Sequence, residues 1–226
     1  MEILDIDLPA VAPVVVPAIA ALLLVASSRL WPVLRTVITI AHEGGHVVIG
    51  LLVGRRLRGI RLHSDSSGVT LSRGRPTGPG MVATAFAGYV APSVAGLATA
   101  ALVAVDQHAA LLVIVVVLLA AMLIAIRNVF GVVAIVATGA VLVAARWYAP
   151  EPTAQATASV LAWFLLFGGL RAVTELQRTR RSPRSRDSDA DQLARLTSVP
   201  AIIWVALFAL IAIGALVAST ALLLRA

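Results

Sequence analysis

His42, Glu43 and His46 are the residues whose types and spacing carry the most chemistry in this chain. On an α-helix, positions four apart lie one above the other on the same face, so two imidazoles there can bind one tetrahedral zinc ion. The glutamate of such an HExxH pattern is a general base rather than a ligand. It takes a proton from the activated water and later hands it to the leaving amine. The setting sharpens the reading, because 36–53 is a run otherwise free of charge. An unpaired carboxylate buried in hydrocarbon costs a few kcal/mol or more, so a merely solvated helix face is a poor explanation. The plainer competitor is a Glu-His contact that holds helices together without metal.

A catalytic zinc wants a third protein ligand and an open fourth position. His63 and His108 are weak choices, since the first falls in a polar turn and the second beside Asp106. Asp187, Asp189, Asp191 and Asn128 are the remaining candidates. Ser188 with Asp191 three residues on fits a capping box that starts a short helix ending near Thr197, and Asp189 would favour the same helix N-terminus. Asn128, at a break between apolar runs, would satisfy backbone groups freed there. At about 1.5 Å per residue, His46 lies roughly 10 Å inside the end of its run at Val53, so a ligand must dip inward from that side.

The elements that must position these groups are membrane spans. Of 226 residues 60% are hydrophobic and 13% charged, which excludes an ordinary water-soluble domain. A hydrocarbon core roughly 30 Å thick needs about 20 apolar residues per helix. Apolar segments at 9–27, 36–53, 81–105, 109–126, 129–145, 153–176 and 199–224 give an expectation of about seven transmembrane helices in one all-α polytopic domain, 1–226. The acidic start lacks the basic region of a secretory signal, so the first run reads as retained. With no cysteine, thiolate ligands and cysteine nucleophiles are excluded.

All 18 basic residues are arginine, and they concentrate in two loops, about 54–80 and 177–198. Four expected spans separate the loops, so both fall on one side, which the positive-inside rule makes cytoplasmic. Topology, rather than a nucleic-acid partner, accounts for the net charge of +7. Within the first loop, apolar residues spaced around Ser64-Asp65-Ser66-Ser67-Gly68 predict a β-hairpin directly after the metal-binding helix.

Together these residues resemble the site-2 protease class of intramembrane zinc metalloproteases, most closely its M50B-like branch. The resemblance rests on Ala41-His42-Glu43-Gly44-Gly45-His46, on Ser67-Gly68-Val69-Thr70 closing the hairpin, and on Ala87-Gly88-Tyr89-Val90-Ala91-Pro92. Arg127-Asn128-Val129-Phe130-Gly131 and Ser188-Asp189-Ala190-Asp191-Gln192-Leu193-Ala194 add to it. It implies peptide-bond hydrolysis in or near the bilayer of a bacterial cell membrane, on a membrane protein or peptide substrate, with Zn²⁺ as cofactor. It also implies that the hairpin presents a substrate strand. One departure matters: the usual Asn-x-x-Pro-x-x-x-Leu-Asp-Gly ligand motif is not met, since no aspartate follows Asn128 at that spacing. In the resemblance Asp189 is the substitute third ligand, with Asn128 as the alternative. That departure keeps open a zinc-binding but non-proteolytic scaffold. A small transporter is disfavoured by the lack of repeat symmetry and of further intramembrane carboxylates.

Overall fold

In hydrocarbon every backbone amide and carbonyl must find a partner within its own segment, so the apolar runs become helices. The computed structural model describes residues 8–181 and 187–226. The acidic start over 1–7 and the middle of the basic linker, 182–186, lie outside the described residues. The elements are α1 (Leu8–Ala26), α2 (Trp31–Leu52), β1 (Arg56–Leu62), β2 (Gly68–Arg73), α3 (Pro79–Ala104), α4 (His108–Ala125), α5 (Val129–Trp147), α6 (Glu151–Arg180), α7 (Asp189–Thr197) and α8 (Ala201–Leu223). Proline opens the first turn of α2, α3 and α6, where a missing amide costs nothing.

The all-α polytopic architecture with one small hairpin is the one expected. Five helices, α3, α4, α5, α6 and α8, are long and apolar enough to cross a membrane. The first two are bent by 107° at their junction, and counting that pair as one span gives five or six candidates among the described residues. α2 carries Arg35, His42, Glu43 and His46 along its length. A polar cluster fixes the bend. Trp31 Nε1 and Arg171 Nε donate to the Glu175 carboxylate at 2.7 and 3.0 Å, and Arg35 Nε lies 3.4 Å from it. The Arg171 guanidinium also sits over the Trp31 ring, 4.4 Å from its centroid, and donates to the Val25 carbonyl. Both arms of the bend are thereby tied to α6.

The hairpin lies along α2 for most of that helix. At one end Arg55 Nε donates to Ser72 Oγ at 2.9 Å. At the other, Ser66 Oγ donates to the Pro32 carbonyl at 2.6 Å and Thr39 Oγ1 to the Ser66 carbonyl at 2.7 Å. β1 and β2 are antiparallel, with Ile60 opposite Thr70 and Leu62 opposite Gly68. The inner face of β2 therefore presents Gly68, Thr70 and Ser72, while Val69 and Leu71 are exposed.

The outer edge of β1 is closed by the break between α4 and α5. The Arg127 amide donates to the Ile60 carbonyl at 2.9 Å. The Asn128 side chain then imitates a strand residue: its Nδ2 donates to the Leu62 carbonyl at 2.6 Å and its Oδ1 accepts the Leu62 amide at 3.2 Å. α3 runs at the centre of the bundle, against α2, α6, α7 and α8.

Candidate functional site

His42 and His46 stand on one face of α2, as their spacing requires, with ring centroids 4.7 Å apart and planes nearly perpendicular. Their Nε2 atoms are 3.1 Å apart. The third group comes from α7. Ser188 caps that helix and Asp191 closes the capping box, so Asp189 is the first helical residue. Such a cap is worth about 1 kcal/mol. Arg180, at the end of α6, reinforces it by reaching Asp191 Oδ1 at 2.8 Å. The cap thus orients Asp189 toward α2, where its Oδ2 lies 3.1 Å from His42 Nε2 and 3.3 Å from His46 Nε2.

The three atoms form a nearly equilateral triangle that could hold a metal ion. Asp189 Oδ2 is buried and has no hydrogen-bond partner, although both imidazoles are within reach. All three atoms lie within 3.3 Å of one another. Burial opposes the charge on Asp189, but the facing imidazoles outweigh it and hold the carboxyl well below the usual carboxylate range.

The other sequence candidates are occupied elsewhere. The exposed Asp187 pairs with Arg195 at 3.0 Å, and Asp191 serves the cap. Asn128 spends both ends of its amide on Leu62. His63 meets Ser67 Oγ at 3.2 Å near the hairpin turn, and His108 meets Asp106 at 3.0 Å. Among the described residues, only His42, His46 and Asp189 form a group of three such ligands.

α3 supplies the surroundings that residue types alone did not announce. His46 Nδ1 meets the Thr84 carbonyl at 2.7 Å, which fixes the ring and leaves Nε2 as the atom with a free lone pair. Tyr89 stands edge-on to His42, with centroids 4.7 Å apart, and stacks on Phe208 of α8. The two helices approach closely. A Cβ on Gly45 would fall 2.7 Å from the Ala87 carbonyl oxygen, and one on Gly88 would fall 2.6 Å from Cε1 of both histidines. Ala87 to Pro92 was visible in the sequence as a motif, but nothing in its residue types says that Gly88 is the floor under two imidazoles.

Gly88→Ala is accordingly expected to cost about 1–3 kcal/mol by overpacking and to push the imidazoles off their common point. Thermal unfolding and metal analysis should show a lower midpoint together with reduced metal content; unchanged metal content would mean that the rings are not held by this contact.

Glu43 is 2% exposed and lies on the hairpin side of α2. Thr70 Oγ1 donates to its Oε2 at 2.6 Å. Between α2 and the hairpin, His46, Gly50, Arg55, Leu57, Thr70 and Ser72 line a narrow crevice.

No curated protein and no solved structure matches the chain. A family model described as Peptidase M50B-like matches residues 15–219.

Proposed function

Because the chain belongs to the Peptidase M50B-like family, we propose that it is an intramembrane zinc endopeptidase in which His42, His46 and Asp189 hold the metal and Glu43 is the general base. The observation that carries this reading is the triangle of Nε2, Nε2 and Oδ2 atoms, with sides of 3.1, 3.1 and 3.3 Å and an orphaned carboxylate oxygen at one corner. A tetrahedral zinc with ligand bonds of about 2.0–2.1 Å needs neighbouring ligands about 3.3 Å apart. The three donors fit that spacing and leave a fourth position for water or substrate. The donor set, two imidazoles and a carboxylate, also suits a catalytic zinc.

Zinc bound there would supply a Lewis acid that acidifies water and polarises a peptide carbonyl. The chain's own groups do the rest. Thr84 holds the His46 ring through its carbonyl. Asp189 offsets the positive charge, and the α7 cap keeps it in place. Glu43 accepts the proton of the attacking water and returns it to the amine as the carbon–nitrogen bond breaks. The substrate is a membrane protein or peptide, because the site lies among helices that face lipid. By the positive-inside argument the arginine-rich loops face the cytoplasm, and the polar site needs water from that side.

The test is metal removal. Purified protein in vesicles with a mixture of synthetic single-span peptides should lose cleavage on treatment with 1,10-phenanthroline and regain it on addition of zinc. Cleavage that persists in metal-free protein would end the proposal.

A further inference from the structure

Glu43 lies with its carboxylate against two residues of β2, Gly68 and Thr70. Its carboxylate is buried, so it must find partners or be neutralised. Thr70 Oγ1 lies 2.6 Å from Oε2 and also 3.4 Å from the Glu43 carbonyl, so a single hydroxyl reaches both the side chain and the main chain of this residue. The other oxygen lies against Gly68. A Cβ at that position would sit 2.8 Å from both Cγ and Cδ of Glu43 and would overlap Oε1. Residues 68 and 70 share the inner face of β2, two positions apart, so one stretch of strand provides the donor for one oxygen and the empty space for the other.

The strand is itself held on both sides. Ser66 and Thr39 pin the turn end of the hairpin to α2, Arg55 pins the other end at Ser72, and Ile60 and Leu62 of β1 are buried behind it. A hydroxyl on such a strand has a defined place relative to α2. This matters because a glutamate side chain has three rotatable bonds, and a general base must stand within about 3 Å of the proton it takes. The hairpin supplies the contacts that orient the Glu43 carboxylate.

We propose that Gly68 and Thr70 form a cradle on β2 that sets the rotamer of Glu43, making Thr70 a positioning residue for the general base. This inference rests on the endopeptidase reading above. It gives the hairpin a role in the chemistry that is separate from any contact with substrate. A base displaced by about 1 Å can cost on the order of 10²-fold in rate.

The experiment compares wild type, Thr70→Val, Thr70→Ser, Glu43→Gln and the double variant Thr70→Val with Glu43→Gln. Full-length protein in vesicles is tested on the same single-span peptide mixture, and each variant is also assayed for zinc content and for binding of acetohydroxamic acid, whose N–OH proton needs an acceptor beside the metal. Thr70→Val should lower kcat roughly 10–100-fold at unchanged KM and zinc content, and should weaken acetohydroxamate binding. Thr70→Ser should restore both. In the Glu43→Gln background, adding Thr70→Val should change neither reading further.

Full kcat and full acetohydroxamate affinity in Thr70→Val, with Glu43→Gln impaired, would overturn the cradle and leave the endopeptidase reading intact. Equal losses of zinc in Thr70→Val and Thr70→Ser would likewise overturn it, because the residue would then be supporting the metal helix and not the carboxylate. Glu43→Gln behaving as wild type would instead remove the endopeptidase reading on which the cradle depends.

Discussion

Glu43→Gln is expected to lower the rate of peptide cleavage by about 10²–10⁴-fold while zinc content stays at the wild-type level. The substitution keeps the length and shape of the side chain and still accepts a hydrogen bond from Thr70, so the cradle on β2 remains filled. What it removes is the capacity to accept a proton. Because Glu43 is not one of the three converging donors, the metal has no reason to leave. The comparison is made by mass spectrometry of cleaved peptides alongside metal analysis of the same preparation. Undiminished cleavage would remove Glu43 from the mechanism. Loss of zinc together with activity would mean that the carboxylate is structural.

Asp189→Ala is expected to have the larger effect on the metal itself. Removing a partner behind a ligand commonly costs about 10–100-fold in affinity, and removing a ligand should cost more. The substitution also leaves two neutral imidazoles to balance a divalent ion in a largely buried site. Asp187→Ala is the matched control, because that exposed carboxylate contacts Arg195 and lies outside the converging group. Zinc titration should show Asp187→Ala near wild type and Asp189→Ala far weaker. If the two variants bound zinc equally, α7 would have no part in the metal centre.

Much of this arrangement could be read before any coordinates, for identifiable reasons. The long helices follow from apolar runs of membrane length, and the hairpin from a cluster of turn residues between two apolar alternations. The α7 cap is a local pattern, with Ser188 and Asp191 close in sequence and each side chain accepting the other residue's backbone amide. That cap alone fixes Asp189 as the first residue of its helix, which is why a carboxylate far from His46 in sequence can be delivered to it. The resemblance favoured Asp189 among Asp187, Asp189, Asp191 and Asn128, but the residues alone left the choice open, because it depends on which of these groups already have partners. Arg195, Arg180 and Leu62 supply those partners for the other three.

A break between α1 and α2 follows from the gap between the apolar runs 9–27 and 36–53, but the sharpness of the bend does not. Ser27, Ser28, Arg29 and Leu30 contain neither glycine nor proline to mark a sharp turn. What holds the turn is Glu175 of α6, far away in sequence, acting through Trp31 and Arg171. The contacts around Glu43 were not legible: Ser67-Gly68-Val69-Thr70 stood out as a motif closing the hairpin, but its place against Glu43 shows only once α2 is seen lying against it.

The central claim concerns which atoms surround the metal, and X-ray absorption at the zinc edge of purified full-length protein measures that directly. The account predicts one zinc per chain with two imidazole nitrogens and one carboxylate oxygen at about 2.0–2.1 Å, a light fourth ligand, and loss of this signature in His46→Ala. A bound zinc whose first shell contained fewer than two imidazoles, or one that survived His46→Ala unchanged, would contradict it.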